Sequence, residues 1–316
     1  MFKGMVLISI IGSGRVGTSA AVQMILRELG DLMLIDVVKG LPQGEALDLS
    51  HMAAMRGIDV EVSGSNDYRD ITGSDVVVVT AGLVRKPDMT RLDLLQKNAK
   101  IVGEVAIKIR EYAPRSIIVQ VTNPLDVMTY VALKTSQFRR ERVLGFSGLL
   151  DIGRYRYYLA KALNVSYTSI VAPILGEHGD SMVLLPEHTW VGGRRLTELL
   201  DKAKLAEVID MTRRAGAEVI SLKGWSAHHA PGEGIAEMVD AIVKDRKMVI
   251  PSSILLDGEY DVRGVCTVVP VVLGREGAER VVELDLPDEA RASFLRSVDV
   301  IRRAQAEVDS LLRSGF

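Results

Sequence analysis

Short apolar runs alternate with helical patterns through residues 5–147, and this alternation leaves few folds open. Several runs, such as "DVVVVTA", are apolar at consecutive positions, which suits strands that are covered on both faces of a parallel sheet. The predicted strands of this half are 5–11, 32–36, 60–64, 75–81, 116–123 and 142–147. The predicted helices are 15–29, 41–55, 90–112 and 125–135. We therefore expect a doubly wound, parallel α/β sheet in this half.

The second half has a different pattern. Helices are predicted at 150–163, 197–221, 234–245 and 288–313. Strand-like runs lie at 167–174, 182–191, 248–258 and 264–274, with a turn at "GGRR". Because the alternation stops here, antiparallel pairing and an α+β arrangement are favoured. We place a domain boundary near residue 146, which gives one domain at 1–146 and a second at 147–316.

Charge and cysteine content exclude several kinds of partner. The formal net charge of −2 over 316 residues gives no basic field for nucleic acid or for an anionic membrane surface. No apolar segment approaches the roughly 18 residues that a membrane span needs, so a cytoplasmic protein is expected. The single cysteine, Cys266, lies in an apolar run and is interpreted as a buried thiol, and no metal site is predicted.

The segment "IGSGRVG" follows the first predicted strand and opens the first predicted helix. Gly12, Gly14 and Gly17 have the G-x-G-x-x-G spacing of a Rossmann dinucleotide site, in which the helix N-terminus faces the pyrophosphate. Asp36 ends the second strand, where an acid binds a ribose 2′-hydroxyl. Because this carboxylate repels a 2′-phosphate and only Lys39 follows as a cation, NAD is favoured over NADP. A glycine-rich turn with a capping acid is the alternative.

His178 is the strongest candidate among five histidines because "ILGEHGDSM" presents it at a strand end between glycines and acids. The other four have structural interpretations, and the adjacent His228 and His229 are expected to point apart. Alcohol oxidation with a nicotinamide needs a base near neutral pH and a carboxylate that orients it. Asp151 is a candidate for that carboxylate, with Arg154 three residues on, although a helical salt bridge between these two residues is an open alternative.

Six motifs together resemble the lactate/malate dehydrogenase superfamily over essentially the whole chain. They are "IGSGRVG", "LIDV", "AGLVRKPDMTRLDLL", "VTNPLDV", "LDIGRYRYYLA" and "GEHGDS". Within the superfamily, the chain is most similar to the LDH-like malate dehydrogenases of archaea and bacteria. The resemblance implies an NAD-binding Rossmann domain followed by a catalytic domain, a small-molecule substrate and a homotetramer, with a homodimer as the alternative.

The resemblance also implies roles for single residues. His178 matches the proton acceptor, Asp151 the carboxylate that orients it, and Arg154 the arginine that binds the substrate C1 carboxylate. Arg91 matches the loop arginine that polarises the reacting carbonyl. Asn123 matches an asparagine that hydrogen-bonds the reacting oxygen and lies near the nicotinamide.

Three further positions carry assignments from the resemblance. Asn98 is assigned to the cofactor site and Ser226 to the lining of the substrate pocket. Arg85 matches the position that is glutamine in lactate dehydrogenases and arginine in malate dehydrogenases. It would neutralise the second carboxylate of malate, which would otherwise be buried unpaired. Asp88 departs from the glycine often found there, and we expect it to face solvent.

These assignments predict reversible hydride transfer between (S)-malate and NAD. The alternatives are an L-lactate or broader 2-hydroxyacid dehydrogenase, an NAD-binding module without chemistry, and a metal-dependent decarboxylating dehydrogenase. No carboxylate cluster supports the last of these.

Overall fold

The computed structural model describes residues 6–83 and 89–314. The helices in these ranges are α1 (Arg15–Leu26), α2 (Leu41–Arg56), α3 (Arg91–Tyr112), α4 (Leu125–Ser136), α5 (Gly148–Leu163), α6 (Lys202–Lys223), α7 (His229–Val243) and α8 (Asp288–Ser314). The strands of the first half are β1 (Leu7–Ile11), β2 (Asp31–Ile35), β3 (Val62–Ser65), β4 (Val76–Val79), β5 (Ile117–Gln120) and β6 (Val143–Phe146). The strands of the second half are β7 (Ile170–Val171), β8 (Ile174–Leu175), β9 (Val183–Leu184), β10 (Trp190–Val191), β11 (Arg194–Arg195), β12 (Met248–Asp257), β13 (Arg263–Gly274) and β14 (Gly277–Val281). None of the helices in the described ranges is long and apolar enough to cross a membrane.

One nine-stranded sheet organises the molecule, in the order β14-β13-β12-β6-β5-β4-β1-β2-β3. β1 pairs in parallel with both β2 and β4, so β2 and β3 are added on one side of β1 and the later strands on the other, and the strand order reverses at β1. β12 pairs antiparallel to β6, and β13 and β14 follow antiparallel. The predicted fold class, a doubly wound parallel sheet followed by antiparallel strands, is confirmed. The sheet continues across residue 146, where the sequence predicted a domain boundary.

The parallel strands are covered on both faces of the sheet. Since alternate residues point to opposite faces, both sets of side chains in a central strand such as β4 are buried. In β4, Val76 and Val78 belong to an apolar cluster that includes residues of α1, α2 and α7, whereas Val77 and Val79 belong to a second cluster that includes residues of α3 and α4. All four valines are at most 1% exposed. Burial of each valine side chain contributes about 1.5–3 kcal/mol, which explains why these strands are apolar at every position.

The small strands of the second half differ in part from the prediction. The single strand predicted at 182–191 is wrong, because β9 and β10 are separated by a 3₁₀ turn, Pro186–His188. Pro186 has no N–H to donate to a neighbouring strand, so it interrupts the pairing. The predicted turn at "GGRR" is confirmed: Gly192 and Gly193 have φ of 56° and 86° and join β10 to β11.

The strands β1, β4, β5 and β6 end at one edge of the sheet, since they are parallel. The segments that follow them begin at Gly12, Thr80, Val121 and Ser147. In open α/β sheets, ligands bind outside the carboxyl ends of the strands where the strand order reverses. Among the described residues predicted to act in binding and chemistry, the three glycines, Asn123, Asp151 and Arg154 lie in these segments or in the first turns of the helices that follow them. Asp36 follows β2, and His178 and Ser226 lie later in the chain.

Candidate active site

Two glycines of the turn after β1 are required by its geometry. Gly12 has a φ of 107°, and a Cβ there would lie 2.6 Å from Oγ1 of Thr80. A Cβ on Gly17 would collide with the carbonyl oxygen of Gly12. Gly14 differs, because nothing lies within 4 Å of the position that its Cβ would take. The turn therefore holds its shape through Gly12 and Gly17 and is open to a ligand at Gly14.

The start of α1 is arranged to receive an anion. Its N-cap, Gly14, makes no side-chain capping bond, and the first turn of the helix contains no acid, so backbone N–H groups face outward. Asp36 braces the turn: Oδ2 accepts a hydrogen bond from the backbone N–H of Ser13 at 2.8 Å, and Oδ1 accepts one from that of Val38 at 2.9 Å. The open cradle at Gly14, the unpaired N–H groups and an acid at the end of β2 fit a dinucleotide.

His178, Asp151 and Arg154 form one hydrogen-bonded series. Nδ1 of His178 lies 2.6 Å from Oδ2 of Asp151, and Nη1 of Arg154 donates to Oδ1 of Asp151 at 2.9 Å. The Asp151 side chain is 1% exposed, and the His178 and Arg154 side chains are 16% and 19% exposed. The histidine partner and the helical salt bridge, which the sequence left as alternatives, are thus both present on different oxygens of Asp151.

The surroundings of His178 favour its protonated form. Burial disfavours the imidazolium and is the largest influence, but the charge and hydrogen bond of Asp151, together with the charge of Asp126, raise the pKa of His178 above its ordinary value. Because Nδ1 is engaged by Asp151, Nε2 is the ring nitrogen left to exchange a proton with a ligand. In the part of the chain that the structure describes, no group of three or more His, Cys, Asp or Glu residues is placed to hold a metal ion.

Sequence reasoning missed a second carboxylate beside this histidine. Asp126, in the first turn of α4, is 3% exposed. Its Oδ2 accepts a hydrogen bond from the backbone N–H of His178 at 2.9 Å, and its Oδ1 accepts one from Oγ of Ser253 at 2.6 Å. Burial raises the pKa of Asp126 to about 6. Its place in "VTNPLDV", three residues after Asn123, was the available signal, but its partner in β12 is 127 residues away.

Asn98 connects the ends of β4 and β5. It is 1% exposed, and its Oδ1 accepts a hydrogen bond from the backbone N–H of Leu83 at 2.8 Å. Its Nδ2 donates to the carbonyl oxygens of Leu83 and Asn123, at 3.2 and 2.7 Å. The amide is thus engaged with the backbone at both strand ends. Asn123 itself is exposed at the edge of the sheet.

A cavity of about 310 Å³ lies beside the histidine and is lined by residues of α3, α4 and α8 as well as by His178 and Asp126. Leu92 and Leu95 contribute the α3 side of this cavity. Arg91 is the first residue of α3, next to that lining, but its side chain lies outside the description. Arg85 and Asp88, with Lys86 and Pro87, also lie outside the described residues.

The loop that carries Ser226 lies beside the glycine turn. The guanidinium carbon of Arg15 is 4.4 Å from the ring centre of Trp225, and Ser226 follows as an exposed residue. The expectation that His228 and His229 point apart is wrong, since their ring centres are 4.1 Å apart. His228 is the N-cap of α7 with a φ of −139°, so the chain turns between the two residues and brings their side chains together.

Comparison with known proteins agrees with this geometry. Residues 6–145 match the NAD-binding domain of lactate/malate dehydrogenases, and residues 149–311 match their α/β C-terminal domain. The chain is 51% identical to a malate dehydrogenase of Pyrobaculum islandicum, over 96% of this chain and 99% of that protein.

Two solved structures share the fold over nearly their whole length. The malate dehydrogenase of Aeropyrum pernix is 44% identical with a TM-score of 0.92, covering 95% of this chain and 97% of that one. The lactate dehydrogenase of Eimeria maxima, solved with NADH and oxamate, is 34% identical with a TM-score of 0.95, covering 100% and 97%. With both halves matched in order and the histidine series in place, the chain belongs to the lactate/malate dehydrogenase family.

Proposed function

We propose that this chain is an NAD-dependent malate dehydrogenase that transfers hydride reversibly between (S)-malate and NAD, giving oxaloacetate and NADH. The observation that carries the proposal is the series Arg154–Asp151–His178, in a chain whose first half matches the NAD-binding domain of the family. Relatives named malate dehydrogenase, about half identical over nearly the whole chain, support malate as the substrate.

His178 is the proposed proton acceptor. When bound, NAD supplies the carbon that accepts the hydride. As hydride leaves C2 of malate, Nε2 of His178 takes the hydroxyl proton, and the carbonyl of oxaloacetate forms. Asp151 holds the ring through Nδ1 and stabilises the imidazolium that results. In the reverse direction the same proton returns to the carbonyl oxygen.

The substrate carboxylate at C1 is assigned to Arg154. Its Nη1 donates to Asp151, and a guanidinium has five N–H donors, so a fork of two donors can still meet a carboxylate. Asn123 is assigned to the reacting oxygen and Ser226 to the pocket lining. Arg91, at the start of α3, is the proposed group that polarises the carbonyl.

The cofactor is assigned to the glycine turn and its neighbours. Gly14 leaves room for the pyrophosphate, and Asp36 keeps free lone pairs for ribose hydroxyls beside its two bonds to backbone N–H groups. Asn98 contributes by fixing the ends of β4 and β5, so that Asn123 is held near the nicotinamide. The carboxylate of Asp36 favours NAD over NADP because it would repel a 2′-phosphate.

Arg85 is the residue proposed to bind the second carboxylate of malate or oxaloacetate. Oxaloacetate carries a charge that pyruvate lacks, and a cation at this position would pair with it. With pyruvate bound, the same arginine would be left unpaired, so selection works against the smaller substrate too. A lactate or broader 2-hydroxyacid dehydrogenase is the second candidate, because a lactate dehydrogenase shares the fold as fully as the malate enzymes do.

Substitution of Arg85 by glutamine tests the choice of substrate. We expect kcat/KM for oxaloacetate to fall by about 100-fold or more, since an unpaired carboxylate costs several kcal/mol on burial, and the preference over pyruvate to shrink. Lys86→Gln, the adjacent cation without an assigned role, is the matched control and should change neither value. An unchanged ratio of the two oxoacids in Arg85→Gln would contradict the assignment.

The remaining assignments concern the domains, the oligomeric state, the metabolic role and the cellular location. We place the cofactor domain at 1–146 and the catalytic domain at 147–316, and assign the enzyme to the tricarboxylic acid cycle in the cytoplasm. A homotetramer is proposed, with a homodimer as the alternative. Exposed apolar side chains on α2 and α5 support self-association: Leu47, Met55 and Tyr157 are 59%, 84% and 41% exposed. Sedimentation equilibrium of the full chain would decide between the two states.

A further inference from the structure

Two buried carboxylates contact His178, and the proposed function uses only one of them. Asp151 binds the ring, whereas Asp126 accepts the backbone N–H of the same residue at 2.9 Å. The two aspartates are 1% and 3% exposed. They come from different helices, α5 and α4, so His178 is held from two sides.

The hydrogen bonds of Asp126 do not by themselves require a charged group. Its two oxygens receive the backbone N–H of His178 and the hydroxyl of Ser253. An asparagine could accept the first and donate to the second, because a serine hydroxyl can reverse its role. A carboxylate at this buried position costs more to bury than an amide. The charge therefore calls for an explanation beyond packing.

We propose that Asp126 is a positioning residue of the reaction, which fixes the backbone at His178 and, by its negative charge, favours the protonated imidazole that malate oxidation creates. This inference rests on the proposed function, because the proposed oxidation of malate is the step that protonates the imidazole of His178. It assigns the two aspartates different tasks: Asp151 orients the ring, and Asp126 fixes the loop and adds charge.

Other ionisable groups also face this centre, among them Arg154, whose positive charge acts against protonation of His178. Glu177 lies in the same loop as His178, and its Oε2 accepts the hydroxyl of Ser181 at 2.5 Å. Cys266, in β13, is buried, and burial raises the pKa of its thiol, so it is neutral. Arg303 and Glu307 of α8 line the neighbouring cavity and carry opposite charges.

Asp126→Asn separates charge from hydrogen bonding, because the amide can keep both bonds. Ser253→Ala does the reverse: it leaves the carboxylate but removes a donor, so the carboxylate is protonated more readily. Two matched controls are residues whose bonds go to groups other than His178 and Asp126. Asp240→Asn removes another buried aspartate, which pairs with Lys244 and Arg246. Ser252→Ala removes the buried hydroxyl next to Ser253 in β12, which donates to the carbonyl oxygen of Ile250.

The first measurement is an NMR titration of the histidine rings in the protein without substrate, with the signal of His178 identified from its absence in His178→Asn. We expect the midpoint of His178 to move to lower pH in Asp126→Asn, and to move in the same direction but less in Ser253→Ala. The two controls should leave it in place. This titration needs no turnover, so its outcome does not depend on the identity of the substrate.

The second measurement is kcat/KM for oxaloacetate at pH 8, which requires protonated His178. We expect a loss of about 10-fold in Asp126→Asn for each unit by which the midpoint falls, with KM for NADH unchanged. An unmoved midpoint in a folded Asp126→Asn protein would overturn the inference, as would an unmoved midpoint in Ser253→Ala if the first variant does not fold. Absence of oxaloacetate turnover in the unaltered chain would instead overturn the proposed function.

Discussion

The glycine turn after β1 and the centre around His178 lie at the same edge of the sheet, but the groups proposed to bind the ligand differ between them. In the turn these are backbone N–H groups, placed by Gly12 and Gly17 and braced by Asp36. Around His178 they are charged side chains, held by one another across three elements. In the proposed function the turn acts through the path of its backbone, whereas the histidine centre acts through buried charge.

This difference has an energetic consequence. Backbone N–H groups at a helix start are present in any helix, so the turn offers an anion site at little cost beyond its glycines. Buried carboxylates lose hydration, and only partners of good geometry offset that loss. We therefore expect substitutions in the turn to act on folding and cofactor binding, and substitutions around His178 to act on chemistry.

The largest expected effect is on the chemistry of the histidine centre. His178→Asn removes the proposed proton acceptor but keeps a polar side chain of similar reach, and we expect kcat to fall on the order of 1,000-fold. Binding of NADH, followed by fluorescence quenching, should be unchanged because the turn is intact. His51→Asn, on the exposed face of α2, is the control. If His178→Asn lost NADH binding to an extent comparable with its loss of kcat, the glycine turn and the histidine centre would not be separable sites.

The features that could be predicted from the sequence differ between these two regions in the same way. The turn was predictable because its spacing, Gly12 to Asp36, falls within one strand–helix–strand unit, and the strands were predictable because burial on both faces makes them apolar throughout. His178, Asp151 and Arg154 could be selected by residue type and by family resemblance. Their actual contacts, such as the 2.6 Å bond across 27 residues, depend on tertiary packing.

Two misses have physical causes. Asp126 was overlooked because an acid in the first turn of a helix is explained by the helix dipole, and its contact with Ser253 bridges α4 and β12. The strand predicted at 182–191 failed because the apolar pattern continues through Pro186, whereas the backbone pairing cannot.

A smaller effect distinguishes two glycines of the turn. Gly12→Ala forces a Cβ into a left-handed conformation 2.6 Å from Thr80, and we expect a loss of about 3 kcal/mol in the free energy of unfolding. Gly14→Ala meets open space and should leave stability within about 1 kcal/mol, since a glycine with ordinary φ tolerates a methyl group.

Denaturant unfolding and NADH titration measure the two effects separately. Gly14→Ala should weaken NADH binding although its stability is kept, because the methyl group occupies the space left for the pyrophosphate. If Gly14→Ala bound NADH as tightly as the unaltered chain, the open cradle would not be the pyrophosphate site. If Gly12→Ala were as stable as Gly14→Ala, the backbone of the turn would not depend on its glycine.

The smallest expected effect concerns the stability cost of buried charge. Burial raises the pKa of Asp126 from an ordinary value near 3.8 to about 6 in the folded chain. A raised folded-state pKa means that the folded chain binds the proton more tightly, so the contribution of Asp126 to stability is fully present below pH 3.8 and is lost as pH rises through about 6. Asp126→Asn should therefore be more stable than the unaltered chain at pH 8, on the order of 2 kcal/mol.

Asp240 provides the opposite case within the same molecule. Burial acts to raise its pKa, but bonds from Lys244 and Arg246 lower it on balance, so its contribution to stability is present above its unfolded value and is lost as pH falls. Asp240→Asn should thus destabilise the chain at pH 8, while Asp126→Asn stabilises it. Urea unfolding at pH 8 and pH 4 would measure both differences. The Asp126 difference should shrink at pH 4, whereas the Asp240 difference should largely persist there, because pH 4 is still above the unfolded-state pKa of 3.8. Equal signs at pH 8 would contradict the view that the histidine centre gives up stability for chemistry, because Asp126 would then be an ordinary paired carboxylate.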